Sequence, residues 1–216
     1  MKKFIILFMG LFIVTGCVNI NDTDYDELID IVLEGEDKKT NTYLEGYKLY
    51  LPLHMTLIGD LNSNNILYSG GDKYYLYVDL ISYYNETENT YNIDHSSYIY
   101  SHQIDYNDKT GYVVVTNSKG GYLVEVMYNY AKIEVITSDV KKAIVDSLMV
   151  LKNINYNYEI IDSMIGTNAL VYDAETFTLL GPNNSTDNFL TYEEEYGVYD
   201  EDDYESDDVI EIESIE

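Results

Sequence analysis

The chain of 216 residues offers few side chains for chemistry: three histidines, a single cysteine and a handful of carboxylates set in apolar runs. His95 and His102, with Asp94 beside them, are spaced so that a strand and its entry loop could bring them together as a metal pair or as acid and base. The plainer expectation is one histidine in a loop and one on a half-exposed strand, with no specific role. Asp79 sits in the apolar run Leu76 to Ile81, and a carboxylate buried there would have its pKa pushed up, a mark of functional sites. Its plainer expectation is a rim position or a lysine partner. His54, just after Pro52, reads as a surface residue. Asp22, Asp24 and Asp26 mimic the opening of a calcium loop, but Glu27 stands where such a loop turns on glycine and Leu33 where it ends on glutamate. With no G-x-S-x-G elbow, no H-E-x-x-H and no glycine-rich phosphate loop, the sequence predicts no catalytic residue, no metal ligand set and no cofactor.

Cys17 has the clearest chemistry. It closes the stretch MKKFIILFMGLFIVTGC, in which Lys2 and Lys3 precede an apolar run from Phe4 to Val14, and Thr15 and Gly16 lead to the thiol. At ~1.5 Å per residue that run falls well short of the ~30 Å a membrane-spanning helix needs. Charge, apolar run, small residues and cysteine in this order resemble the lipobox of bacterial lipoprotein precursors, with Val14, Thr15 and Gly16 as the recognition residues and Val14 standing where leucine is more common. The resemblance implies that residues 1–16 are a signal peptide, that the Cys17 thiol carries a diacylglyceryl group, and that the protein is lipid-anchored to the cell membrane on its extracytoplasmic side. It also accounts for a lone thiol that can form no disulfide within the chain.

Charge bounds the partners. The chain has 39 carboxylates against 12 basic residues, all lysine, for a net charge of −27. Without residues 1–16 two of those lysines go, and the value is about −29. Such a surface excludes nucleic acid, whose phosphates require a basic face, and leaves attachment to the membrane to acyl chains. Other partners must be cationic proteins, neutral molecules or metal ions. Trp is absent and Tyr occurs 25 times, so tyrosine fills core with its ring while its hydroxyl seeks water or a partner.

To position any of these groups the chain must build a body. Residues 17–42 read as a lipidated tether: a polar start at Asn19 to Thr23, a short helix at Tyr25 to Glu34 with Asp22, Thr23 or Asp24 as cap, and a charged linker from Gly35 to Thr42. The body is predicted at 43–161. Strand chemistry covers Tyr43 to Leu51, His54 to Ile58, Asn65 to Ser69 and Lys73 to Ser82, with turn residues at 59–65 and large side chains on both faces of the last strand. A polar excursion, Tyr83 to Asp94, precedes strands at Ser97 to Asp105, Tyr112 to Thr116, Tyr122 to Tyr128 and Ala131 to Ile136, with turns at Asn107 to Gly111 and Asn117 to Gly121 and a hairpin about Asn129 and Tyr130. Ser138 is the expected cap of a helix reaching Leu151, with Val140, Ile144, Leu148 and Leu151 on its apolar face and Lys141, Lys142 and Asp146 on the other. Asn155 to Ile161 closes the body as a strand. The expected class is α+β, an antiparallel sheet of about six to eight strands covered by one long helix.

This element order, with Tyr47-Lys-Leu-Tyr-Leu-Pro52, resembles the PsbP-like α/β sandwich of small exported proteins over 43–161. Gly46 to Pro52 and Met127 to Glu134 are also similar to segments of uncharacterised lipoproteins of low-GC Gram-positive bacteria. Neither resemblance implies a catalytic residue. Residues 162–192 read as an extension with a hairpin or edge strand in Ala169 to Leu180. Residues 193–216 hold 13 carboxylates and no cation, and read as a disordered acidic tail, since so little can be buried to offset ordering. Phe189, Leu190, Tyr192 and Tyr196 are candidate docking residues for an envelope protein or cationic partner; the other reading of the tail is a solvated brush. The expected function is a lipid-anchored extracytoplasmic binding or envelope-assembly protein without catalytic activity. Two alternatives stand beside it: a hydrolase or metal-dependent enzyme built on His95, His102 and Asp79, and a solute-binding lipoprotein, for which two lobes usually need a longer chain.

Overall fold

The described residues of a computed structural model of the chain are 20–61, 64–87, 90, 91, 93 and 96–165. Two compact units divide the chain, Met1–Pro182 and Asn183–Glu216, and every described residue belongs to the first. Helix α1 (Tyr25–Glu34) leads into β1 (Thr42–Leu44), β2 (Tyr47–Leu49), β3 (Thr56–Leu61), β4 (Asn64–Ser69) and β5 (Asp72–Val78). A short helix, α2 (Leu80–Tyr84), opens the excursion to β6 (Tyr98–Tyr106), β7 (Lys109–Ser118), β8 (Gly121–Tyr128) and β9 (Ala131–Thr137). Helix α3 (Val140–Lys152), β10 (Asn155–Tyr156) and α4 (Tyr158–Ile165) follow.

Two-residue turns set the register. Gly70 and Gly71, Asn107 and Asp108, and Asn129 and Tyr130 all have positive φ, from 51° to 104°, the geometry whose twist matches that of the strands it joins. Seven strands form one antiparallel sheet in the order β3-β4-β5-β9-β8-β7-β6. The chain meanders from β3 to β5, crosses to the far edge, and meanders back until β9 pairs with β5. A separate sheet has the order β1-β2-β10. The class is therefore α+β.

The first face of the large sheet carries Leu76, Val113, Val124, Val126, Ile133 and Val135, all buried. Helix α3 lays Ile144, Leu148 and Leu151 into this core, each burial worth about 1.5–3 kcal/mol. Helix α1 packs beside it through Leu28, Ile29, Val32 and Leu33. The helix assigned from sequence to the tether is thus part of the body, which begins near Tyr25. Its apolar stripe requires that, and polar ties secure it: Lys152 Nζ donates to the Gly35 carbonyl at the end of α1, and Lys38 N donates to Asn153 Oδ1 at 2.6 Å. A cation at the C-terminal end of a helix also complements its dipole.

Other boundaries move for local reasons. The strand expected over 73–82 stops at Val78 because the Asp79 carboxylate accepts from Ser82 N at 2.8 Å and caps α2. The turn residues expected at 59–65 are mostly strand, Gly59 in β3 and Asn64 and Asn65 in β4. Tyr43 to Leu51 is a hairpin of β1 and β2, folded at Gly46, where φ is 83°. Asp139, not Ser138, caps α3 by accepting from Lys142 N at 3.1 Å. Asn155 to Ile161 contributes only two residues of strand; Asn157 Oδ1 then accepts from Ile160 N at 3.3 Å and α4 begins. Gly111 is a glycine for lack of space, since a Cβ there would sit 2.1 Å from the Met127 carbonyl oxygen. Gly111→Ala is expected to lower unfolding stability by about 1–3 kcal/mol through overpacking, read as a fall in the urea midpoint with unchanged slope.

Candidate functional site

Of the residues singled out from sequence, Cys17, Val14, Thr15 and Gly16 lie outside the described residues, as do Phe189, Leu190, Tyr192 and Tyr196, and also His95 and Asp94. His102 and Asp79 are not brought together. His102 is on the edge strand β6 and Asp79 follows β5, with β7, β8 and β9 between them; at ~4.8 Å per strand that is roughly 19 Å. Each has its own task. Asp79 caps α2, and His102 Nδ1 lies 2.9 Å from Asp26 Oδ1. Tyr100 donates its hydroxyl to the same oxygen at 2.5 Å and tilts against Tyr25 with ring centroids 4.8 Å apart. This cluster fastens α1 to the edge of the sheet. The Tyr100 hydrogen bond, against some opposition from burial and with help from His102, holds the Asp26 carboxyl below the usual carboxylate range.

His54 is half exposed, as a surface residue should be, but its Nε2 is 2.9 Å from Asp146 Oδ1. Asp146 was expected on the polar face of α3 and is instead buried at 5% exposure. Its other oxygen receives Lys142 Nζ at 2.5 Å and the Tyr74 hydroxyl at 3.4 Å. Lys142 Nζ also donates to Ser69 Oγ at 2.9 Å. Burial, then the charges of Asp146 and Asp72, push the Tyr74 phenol well above its ordinary pKa. One carboxylate thus ties α3, β4, β5 and the loop after Pro52. Ser138 to Lys141 has S-x-x-K spacing, but Lys141 Nζ is engaged in donating to the Asn21 carbonyl at 2.7 Å.

The second face of the sheet is built differently. Tyr112, Val114 and Met127 form a small apolar patch there, packed by Tyr91 and Ile93 of the excursion and Tyr98 of β6. Beside it, Lys132, Glu134 and Glu125 are buried at 1%, 0% and 1% exposure. Glu125 and Glu134 are direct cross-strand partners, which places their Cβ atoms ~4.5–5.5 Å apart and sets like charges against each other. Lys132 Nζ offsets them, 2.6 Å from Glu134 Oε1 and 5.9 Å from the centre of the Tyr77 ring. Glu134 Oε2 has no hydrogen-bond partner among the described residues. Tyr112 feels both carboxylates: burial first, then Glu125 and Glu134, push its phenol well up.

On the same face lies a cavity of about 430 Å³ that reaches Met127, the cross-strand partner of Lys132. Its walls include Tyr91, Gln103, Lys109, Thr110, Met127 and Asn129. Tyr91 links cavity and apolar patch, since its ring meets Tyr112 edge-on at 5.0 Å. Burial lowers the Lys109 pKa, opposed by the charge of Asp37. The cavity is lined by one lysine, one aspartate, amide and hydroxyl residues and two tyrosines, a set suited to a polar molecule of no net charge. No group of three or more metal-ligating side chains occurs among the described residues. Sequence reasoning missed this site because its residues come from strand ends and turns with no shared motif.

Fold and cavity together define an α+β protein with a polar site on the sheet face opposite its helices. No family model, no curated protein and no solved structure matches the chain.

Lys132→Met is expected to cost about 3–5 kcal/mol by leaving buried carboxylates uncompensated, and Lys132→Met with Glu134→Leu to recover most of it; chemical denaturation of both variants checks this. A depressed Asp26 pKa means stability that is complete above the unfolded value near 3.8 and is lost as pH falls through the lower folded value. Tyr100→Phe should therefore return the Asp26 titration, followed by carboxyl NMR, toward that unfolded value and move the onset of acid unfolding up in pH.

Proposed function

We propose that the chain is a lipid-anchored extracytoplasmic binding protein, not an enzyme, and that it holds a small neutral or zwitterionic solute in the cavity on the second face. The make-up of that cavity carries the reading: one cation and one anion among amides, hydroxyls and aromatic rings. Small-molecule sites combine such rings with a few placed polar groups. Support for the anchor is the ordered stretch from Lys2 to Cys17. Support for a PsbP-like sandwich is the strand order with its crossover and the covering helix α3. Phe189, Leu190, Tyr192 and Tyr196 keep their proposed role of docking a cationic envelope partner.

Two measurements test this. Cys17→Ser should abolish incorporation of labelled palmitate and move the protein from the membrane to the soluble fraction; a variant still held by the membrane would refute the anchor. Thermal unfolding with a panel of free amino acids and neutral monosaccharides should show one class that stabilises the protein, by about 2.7 kcal/mol at a hundredfold excess over Kd. Gln103→Leu should remove that stabilisation without changing the unliganded midpoint. A panel with no effect would remove the solute reading.

A further inference from the structure

The small sheet carries a second site. β1, β2 and β10 pair so that Tyr43, Lys48 and Asn155 lie opposite one another in a single cross-strand row. On the other side of β2, Tyr47 and Leu49 are buried in the main core, so this row belongs to the outer face. Tyr43 is 74% exposed, an unusual position for a large ring. Tyr158, at the start of α4, is 54% exposed. Both line a groove of about 400 Å³ with Lys48, Asn155, Tyr156 and Asn157.

Tyr158 and Tyr156 are held rather than free. Tyr158 stacks on Tyr84 with 15° between planes and centroids 5.4 Å apart. Tyr84 is fixed in turn by donating its hydroxyl to Asp162 Oδ1 at 2.7 Å, a bond that helps raise its pKa to about 12. Tyr156 stacks on Tyr83 at 4.0 Å and donates its hydroxyl to the Asn129 carbonyl at 2.6 Å. Asn157 spends its side-chain oxygen on capping α4, which leaves its NH₂ as a donor. The groove thus combines the preset ring of Tyr158, the exposed ring of Tyr43, amide donors and acceptors, and one lysine balanced by Glu159.

Charge selects the occupant. A chain of net charge −27 repels polyanions, and a groove with one cation and one anion gives a polycation no special hold. Flat rings beside amides suit the C–H faces and hydroxyls of sugars. Successive positions along the row are ~4.8 Å apart, comparable with one pyranose unit. We propose that the outer face of the small sheet binds a neutral glycan strand, with Tyr43 and Tyr158 as the stacking platforms and Lys48, Asn155 and Asn157 as hydrogen-bonding partners. The inference does not rest on the cavity of the second face.

The test is calorimetric titration of the full chain in detergent with chitotetraose, cellotetraose and a polygalacturonate tetramer. At least one neutral tetramer should bind with little dependence on salt, and the anionic one should not. Tyr43→Ala and Tyr158→Ala should each weaken binding about tenfold, the scale of one lost aromatic stack. Tyr122→Ala, which removes a partly exposed ring elsewhere, should leave binding intact, as should the cavity variant Gln103→Leu. Loss of binding in Gln103→Leu with both tyrosine variants unaffected would move the glycan to the cavity and overturn the proposal. So would preference for the polyanion, or failure of both neutral tetramers to bind.

Discussion

The seam between β5 and β9 is the pairing on which the rest of the structure depends. Each meander, β3 to β5 and β6 to β9, ends in a strand that needs a neighbour, and five residue pairs from Tyr74↔Val135 to Val78↔Ala131 supply it. The partners are distant in sequence, but loop closure grows only slowly with length, about 0.6 kcal/mol per doubling. The excursion between β5 and β6 therefore adds little to the closing cost. On its first face the seam presents Ile133 and Val135 to the helical layer; on its second it sets Lys132 against Tyr77 and Glu134 against Tyr75. Apolar core and buried charges are thus two sides of one row of backbone hydrogen bonds.

The two faces solve different problems. On the first, apolar side chains from sheet and helices close a core in which Asp146 is the buried carboxylate among the described residues, and it is met by Lys142, His54 and Tyr74. On the second, a buried lysine stands with two carboxylates, and an ion pair removed from water yields little net stability compared with apolar packing. Glu125 and Glu134 help raise the Tyr112 phenol, and the Tyr112 ring meets Tyr91 of the cavity wall edge-on.

Much of this architecture was legible because it rests on period and turn chemistry. Val140, Ile144, Leu148 and Leu151 announce α3 by spacing, and Asn107-Asp108 and Asn129-Tyr130 announce hairpins by residue type or by the strands around them. What was not legible depends on tertiary position. The apolar stripe of α1 is the same whether it lies on a tether or on a sheet, so sequence alone set it outside the body. Asp146 is spaced for the polar face and is buried because residues far away in the chain converge on it. Asp79 illustrates local competition: an apolar run favours strand, yet one carboxylate able to accept from Ser82 N ends it. The cavity and the tyrosine groove draw on β7, β8, the excursion, the small sheet and α4, and no window of sequence contains either.

Packing of α1 into the body also changes how the proposed anchor works. If α1 were a spacer, the acidic domain would swing at its end; as part of the core, with the Asn21 carbonyl held by Lys141 Nζ, it leaves only the residues between Cys17 and Asn21 as tether. Fully extended at ~3.6 Å each, those four steps reach roughly 14 Å. That exceeds the ~8 Å over which charges are felt at physiological salt. The body, with all its carboxylates, can therefore stand clear of an anionic bilayer by tether length alone.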